Sequence, residues 1–409
     1  MVIFAGIMLT AIQIIFFIGL FILFYSYLGY GILLYILIKV RGMFSKKTVA
    51  PPGTWPAVTL IVAAYNEQDF IEQKITNSLS LDYPRGALEI LFVTDGSSDN
   101  TPSIVTRFPS IKLLHNRERK GKVDAMHRAM QFVQTPFVIF SDANTLLNRE
   151  SIKNIIRHYS DPRIGGVAGE KKIIQSFSEA AAGAGEGLYW KYESTLKKLD
   201  YQFYSVVGAA GELFSLRTAL YEYPGPDVLL DDLIISLRIC MKGYRFAYEP
   251  AAYAMESASV SLKEEKKRKR RISAGAFQSM KMLSGLLNVF KYPRLSFQYI
   301  SHRVLRWTLC PLFLPLVLLC NILLVMYSTG WVYSGLLLAQ VLFYFLAFLG
   351  YLMKSRKTRI GFLYAPYYFL FINYSLYGGF VRHLKGRQTV LWEKASREVY
   401  PDKFGDHGS

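Results

Sequence analysis

Hydrophobic positions divide the chain into regions with different periods. Between Met1 and Lys39 no charged side chain interrupts the apolar residues, a run longer than the roughly 20 residues a helix needs to cross a bilayer. The pattern predicts one membrane helix over about Ile12–Val40, tilted or protruding from the bilayer, because no polar turn divides it into a hairpin. Tyr25, Tyr27, Tyr30 and Tyr35 crowd its later half, as interfacial tyrosines do. Arg41, Lys46 and Lys47 close it, and Pro51-Pro52-Gly53 forms a linker. With no basic n-region and no small-residue cleavage site, the run reads as an anchor and not as a signal peptide.

Short apolar runs then alternate with helical periods. Val58–Ala64 is continuous and rich in β-branched residues, as a buried strand is, and ends at Tyr65-Asn66-Glu67. Asn66 is expected to cap a helix in which Phe70, Ile71, Ile75 and Leu79 recur at helical spacing. After Pro84, Glu89–Val93 forms a second strand ending in Thr94-Asp95-Gly96-Ser97-Ser98-Asp99-Asn100-Thr101. A helix from about Pro102, a short strand near Ile111–Leu114 and a helix carrying Val123, Met126, Met130 and Val133 follow. Phe137–Phe140 is the strand that runs into Ser141-Asp142-Ala143-Asn144. Strands alternating with helices predict an α/β domain with a doubly wound, mostly parallel, Rossmann-type sheet. Its acidic strand ends then share one edge, where open α/β sheets bind ligands.

Beyond Ser279, the residues Met280, Met282, Leu283, Leu286, Leu287 and Phe290 alternate with Lys281, Lys291 and Arg294, which suits a helix lying on a membrane surface. Spans are predicted at about Trp307–Tyr327 and Trp331–Met353. The run Ile360–Phe380 is read as re-entrant or interfacial, broken by Pro366 and Gly378-Gly379, because a single crossing would put the basic tail Arg382–Arg397 outside. The expected organisation is an N-terminal transmembrane helix (1–42), a catalytic domain (43–260), basic and amphipathic interface helices (261–304), a C-terminal transmembrane region (305–383) and a basic tail (384–409). In that tail Gln388–Arg397, with Trp392, either anchors at the membrane surface or docks near the active site.

Charge sharpens this picture. The 409 residues carry a net charge of +18 and a mean hydropathy of +0.20. The cations gather beside the apolar runs, in Lys39–Lys47, Lys263–Arg271, Lys354–Arg359 and Arg382–Arg387. That distribution favours anionic lipid over nucleic acid and predicts a multi-pass membrane protein with its catalytic domain in the cytoplasm; it does not identify the organism, and a bacterial inner (plasma) membrane is the expected setting. Only Cys240, Cys310 and Cys320 occur, with no disulfide framework or zinc spacing.

The strand ends and Leu229-Leu230-Asp231-Asp232-Leu233 offer a complete set of groups for a nucleotide-sugar site. Glu67 and Asp95 can hydrogen-bond the base and ribose, and Lys122 can face the diphosphate. Asp142, with the side-chain oxygen of Asn144, can hold Mg²⁺ or Mn²⁺ bridging the phosphates. The adjacent carboxylates Asp231 and Asp232 can raise one another's pKa, so this pair can supply a general base. Other roles compete. Glu67 favours a helix N-terminus, Asp99 suits a turn or cap, and Asp231 can hold local structure. Most of Lys263–Arg271 suits lipid headgroups, and Tyr189, Trp190 and Tyr192 suit either sugar stacking or packing on a surface helix.

In these motifs the chain resembles membrane-bound family 2 glycosyltransferases, the group of cellulose, chitin, hyaluronan and poly-N-acetylglucosamine synthases. Ala63-Ala64-Tyr65-Asn66-Glu67 matches the first strand end, and Asp95-Gly96-Ser97-Ser98-Asp99-Asn100-Thr101 the DGSxDxT motif. Lys120-Gly121-Lys122 matches the diphosphate-side lysine, and Asp142-Ala143-Asn144 the DxD position. Gly208–Glu212, with Phe214 and Arg217, resembles the acceptor-side stretch, and Asp231-Asp232 the ED motif. The resemblance implies a GT-A-like fold and Asp232 as catalytic base. It implies Tyr65, Glu67, Asp95, Lys122, Asp142, Glu212, Asp231 and Arg271 as substrate-binding residues, and a divalent cation on Asp142 and Asn144.

Two departures matter. Asn144 replaces the second DxD carboxylate, so metal binding rests mainly on Asp142. Where processive members carry QxxRW, this chain reads Arg268-Lys269-Arg270-Arg271-Ile272, keeping the arginine but not the glutamine or tryptophan. A similar string, Arg303-Val304-Leu305-Arg306-Trp307, abuts the next span and is expected to lie too far from Asp232 to replace it. The expected activity is inverting transfer from a UDP-sugar to a growing polysaccharide, with accessory export subunits as further partners. The alternatives are a lipid-linked acceptor, or a catalytically silent nucleotide-sugar sensor or assembly subunit.

Overall fold

A computed structural model describes residues 2–42, 53–174, 182–257, 262–328, 330–353 and 361–386. The chain starts with α1 (Val2–Phe24), a π turn (Tyr25–Gly29) and α2 (Tyr30–Val40), which form one uninterrupted rod. The α/β region follows as β1 (Val58–Ala64), α3 (Ile71–Leu79), β2 (Leu88–Asp95), α4 (Thr101–Val105), β3 (Lys112–Asn116), α5 (Lys122–Met130) and β4 (Phe137–Asp142). It continues with β5 (Leu146–Leu147), α6 (Ser151–Ile156), β6 (Ile164–Ile174), α7 (Ala182–Phe203), β7 (Leu213–Arg217), α8 (Asp231–Met241) and β8 (Arg245–Ser257). Then come α9 (Leu262–Met282), α10 (Pro293–Tyr299), a second π turn (Ile300–Val304), α11 (Leu305–Trp307), α12 (Leu309–Tyr327), α13 (Trp331–Leu352) and α14 (Gly361–Leu384).

Eight strands form one sheet in the order β3-β2-β1-β4-β7-β6-β8-β5. The first four are parallel, and only β7 and β5 run against the others. Side chains alternate across β1, so Val58, Leu60, Val62 and Ala64 enter one core while Ile61 and Ala63 enter the other. Helices cover both faces, as a parallel sheet requires. The register pairs Ala64 with Thr94 and Ala63 with Asp142, which brings the ends of β1, β2 and β4 to one level. This is a GT-A-like mixed α/β fold, as the sequence predicts.

The N-terminal rod divides its length between two tasks. Phe16 on α1 packs with Val317, Cys320 and Leu324 of α12, whereas Tyr30, Leu34 and Ile38 on α2 pack with Leu196 and Phe203 of α7. That division accounts for an apolar run longer than one crossing, and the helix starts ten residues before the expected Ile12. Among the described residues three helical segments are long and apolar enough to cross a membrane: Gly6–Val40, Leu309–Tyr327 and Trp331–Leu352.

Three local expectations are corrected. Asn66 does not cap α3: at φ +53° it ties two strand-end loops together, accepting from Ser98 N at 2.8 Å and donating to Ser98 Oγ at 3.2 Å. The stretch after Ser279 is not one surface helix, because α9 stops at Met282 and Leu283 and Leu286 enter the core, leaving Leu287 and Phe290 exposed. Pro366 and Gly378-Gly379 do not break α14, which is continuous. A Cβ on Gly379 would stand 2.3 Å from Ser273 Cβ, so the bare backbone there lets α14 seat against α9. The tail residues Gln388–Arg397 lie outside the described residues.

Candidate active site

The strand-end loops are fastened to one another before they present any functional group. Asp95 accepts backbone hydrogen bonds from Lys120 at 2.9 Å and Gly121 at 2.7 Å, fixing the entry to α5, whose first residue is Lys122. Asp95 is buried, both its carboxylate oxygens are engaged by this loop, and it is not among the residues that line the cavity. Asp99 accepts from Thr101 N and Gln68 N, the turn role expected of it. Glu67 opens on the cavity, and its carbonyl also accepts from Phe70 N and Ile71 N to start the next helix. Tyr65 lies on the wall with the Arg119 guanidinium 3.7 Å over its ring.

Lys122 is the centre of the site. Its ammonium pairs with Asp142 and donates to the Gly211 carbonyl at 3.4 Å. Burial opposes its charge, but Asp142, Asp231 and Asp232 hold its pKa above the usual lysine range. Burial pushes the Asp142 carboxyl up; Lys122 pulls it down, and Glu212 adds to the rise. Beneath this pair lies Lys74, fully buried, donating at 2.8 Å to both Ser141 Oγ and the Thr145 carbonyl. It thereby staples both ends of the segment bearing Asp142 and Asn144. Burial lowers its pKa to about 7.

Asp231 and Asp232 occupy the first turn of α8. Asp231 is buried on the cavity wall, and its Oδ2 has no hydrogen-bond partner among the described residues. Burial, then the Asp231 charge, push the Asp232 carboxyl up to about 7 against the pull of Lys122. Nearby, Lys171 pairs with Glu212 at 2.5 Å and with Glu256. Burial would raise the Glu212 carboxyl, but Lys171 holds it below the ordinary range.

These groups enclose a cavity of about 430 Å³ at the carboxyl edge of the parallel strands. It brings together Tyr65, Glu67, Lys122, Asp142, Asn144, Glu212, Asp231, Asp232 and Arg271 of the predicted site, leaving out only Asp95. The basic run of α9 is corrected: Lys267, Arg268, Lys269 and Arg271 line the cavity instead of a lipid-facing surface. Burial lowers the Arg271 pKa while Asp231 supports its charge. The string Arg303–Trp307 is corrected as well. Arg303 and Trp307 both lie on the wall of the cavity that holds Asp232, because the turn at Ile300–Val304 folds them back over α7. Tyr189 and Trp190 join the wall, whereas Tyr192 turns away to donate to the Tyr27 carbonyl.

Residues 59–222 match the family model described as glycosyl transferase family 2. Over that segment the chain is similar to family 2 glycosyltransferases. The family 2 match ends before Asp231, so it covers the strand-end motifs but not the paired carboxylates. Poly-beta-1,6-N-acetyl-D-glucosamine synthase from Staphylococcus aureus (strain MSSA476) is 26% identical over 224 residues, 52% of this chain and 53% of that protein. The synthase of that name from Staphylococcus epidermidis is 25% identical over 205 residues, 48% of each chain. The chain thus matches about half the length of these curated relatives. The mannosyltransferase PcManGT from Pyrobaculum calidifontis, solved in complex with GDP-Man and Mn²⁺, shares the fold at a TM-score of 0.68, with 22% identity over 91% of this chain and all of that one.

No group of three or more His, Cys, Asp or Glu suited to a metal ion occurs among the described residues. Asp142 is already paired with Lys122, and Asn144 supplies only a neutral amide beside it. Such a donor set fits Mg²⁺ or Mn²⁺ only with phosphate oxygens completing the shell, which is how these ions usually bind at nucleotide sites.

The sequence reading missed Lys74, Lys171, Glu193, Glu256 and Arg382. A lone lysine on a helix reads as solvated, and no spacing connects Lys171 on β6 with Glu256 on β8. The resemblance of Arg303–Trp307 to the family motif was the one signal that could have identified this wall.

Proposed function

We propose that this protein is an inverting glycosyltransferase that moves a sugar from a nucleoside diphosphate, read as UDP, to a growing polysaccharide at the cytoplasmic face of a membrane. The observation that carries the reading is one cavity holding Asp232, poised near neutral pH, together with Lys122 and Arg271. Nine Lys or Arg and seven Asp or Glu side chains line it, an excess of two cations that suits the two charges of a diphosphate.

In this mechanism Lys122 and Arg271 bind the diphosphate, and Glu67 with Tyr65 faces the nucleoside end. Asp232 takes the proton from an acceptor hydroxyl as its oxygen bonds to the anomeric carbon. The bond to the diphosphate breaks on the opposite face, so no covalent enzyme intermediate forms. Asp231 and Glu212 both raise the basicity of Asp232. A divalent cation, held by Asp142 and Asn144 when bound with donor, would neutralise charge on the leaving diphosphate.

Trp190, Tyr189 and Trp307 give the cavity an aromatic wall, and saccharides stack on such surfaces. This supports a saccharide acceptor, in keeping with the synthase names of the relatives. The three long apolar helices and the flanking cations support the multi-pass arrangement with a cytoplasmic domain. Nucleoside diphosphate release by the wild-type chain and by Asp232→Asn, across UDP- and GDP-sugars, tests the reading. Product size separates a polymer from a single-sugar lipid, and binding without turnover would leave a sensor or assembly subunit.

A further inference from the structure

A buried polar cluster lies where the first membrane helix meets the cavity wall. In the π turn Tyr25–Gly29 two consecutive carbonyls are engaged by side chains from elsewhere in the fold. Ser26 O accepts from Arg306 Nε at 2.9 Å, and Tyr27 O accepts from Tyr192 Oη at 2.6 Å. A second π turn, Ile300–Val304, faces the first, with Tyr25 Oη and Ser301 Oγ 2.8 Å apart. Two such turns meeting at one point is notable, because π turns are rare and concentrate at functional sites.

Glu193 on α7 is the node of this cluster. It is 2% exposed, yet its carboxylate edges the cavity. Arg306 Nη1 reaches Glu193 Oε1 at 2.7 Å, while Arg303 Nη1 at 3.2 Å and His302 Nε2 at 3.3 Å reach Oε2. On its other side His302 contacts Asp200 at 2.6 Å, and Asp200 accepts from Tyr30 of the membrane rod at 2.5 Å. Arg303, held from behind by Glu193, and Trp307, next in sequence to Arg306, both line the cavity.

We propose that Glu193 and Arg306 are positioning residues that make the first membrane helix part of the acceptor wall. Arg306 grips the π turn, Glu193 grips Arg306 and Arg303 together, and Trp307 is thereby fixed at the place where an acceptor saccharide stacks. The inference rests on the glycosyl-transfer reading and assigns it a membrane-side element. Donor binding, which depends on Lys122 and Arg271, does not pass through this cluster.

The test compares wild type with Glu193→Gln, Arg306→Gln, the paired variant and Trp307→Leu, all as full chain in membranes. Transfer to saccharide, acceptor KM and the affinity for UDP are measured side by side. Displacing the wall should lower transfer about 10- to 100-fold and raise acceptor KM, with UDP affinity unchanged. Trp307→Leu, a change at the cavity surface that leaves the ion pairs intact, should reproduce the acceptor effect even if the buried variants fold poorly. Unchanged transfer and acceptor KM in Trp307→Leu or in the folded variants would overturn the proposal. So would a parallel loss of UDP affinity, which marks general collapse. Absence of transfer in wild type would instead refute the functional reading.

Discussion

Lys122 and Asp232 converge over the bare backbone of Gly211: Lys122 Nζ and Asp232 Oδ2 each lie 3.5 Å from where a Cβ on Gly211 would stand. The proposed diphosphate-side cation and the proposed base therefore face the same small volume, the one a reacting sugar would need. Gly211→Val fills that volume from below. It is expected to lower kcat/KM about 100-fold through the chemical step, with little change in thermal stability, checked by steady-state kinetics and a melting curve.

As the proposed base, Asp232 must be ionised to act, so kcat/KM should rise with pH through about 7 and level off above it. A pH–rate profile from pH 5 to 9 reads this limb directly. Stability should move the other way. A carboxyl whose folded pKa lies above its unfolded value favours the fold fully below pH about 4 and loses that contribution as pH rises through about 7. Asp232→Asn should accordingly melt higher than wild type at pH 8, on the order of 1 kcal/mol given its partial exposure to the cavity, and no differently near pH 4.

Lys74 touches no cavity space but staples the segment that carries Asp142 and Asn144. Lys74→Met keeps the volume and removes the three donors. Donor KM should rise about 10-fold, as loss of hydrogen bonds from a charged group costs roughly 1.5–3 kcal/mol. An unchanged donor KM would show that the segment holds its place without the lysine.

Gly379 sets the distance between α14 and α9, and through α9 the placement of Arg271. A methyl at 2.3 Å from Ser273 Cβ and 2.7 Å from its carbonyl carbon forces the helices apart. Gly379→Ala should cost about 1–3 kcal/mol, visible as a lower melting temperature in detergent, and should weaken UDP binding through Arg271.

Much of this architecture is legible in local pattern. Val58–Ala64 and Phe137–Phe140 are apolar runs closed by chemistry-bearing loops, and parallel pairing at matched lengths puts those loops on one edge. The second half of the sheet is not legible in that way. Gly165, Gly166 and Gly169 interrupt the apolar pattern of β6, and Pro250 falls inside β8, where the register skips from Glu249 to Tyr253 opposite Gly169 and Glu170. The basic run on α9 reads as solvated because charge along a helix normally is; its cavity role depends on Asp231, Glu256 and Tyr189, which are remote in sequence. Glu193 lies more than a hundred residues from both His302 and Arg306, and no local period records their meeting.

The most direct test of the whole account is nucleoside diphosphate release by the full chain in membranes with Mn²⁺ or Mg²⁺, wild type against Asp232→Asn, with UDP binding measured in parallel. The account predicts release by wild type, a loss of about 10³-fold or more in Asp232→Asn, and UDP affinity equal in the two proteins. Release that persists in Asp232→Asn at the wild-type rate would contradict the assignment of the base, and binding without release in wild type would contradict the enzyme itself.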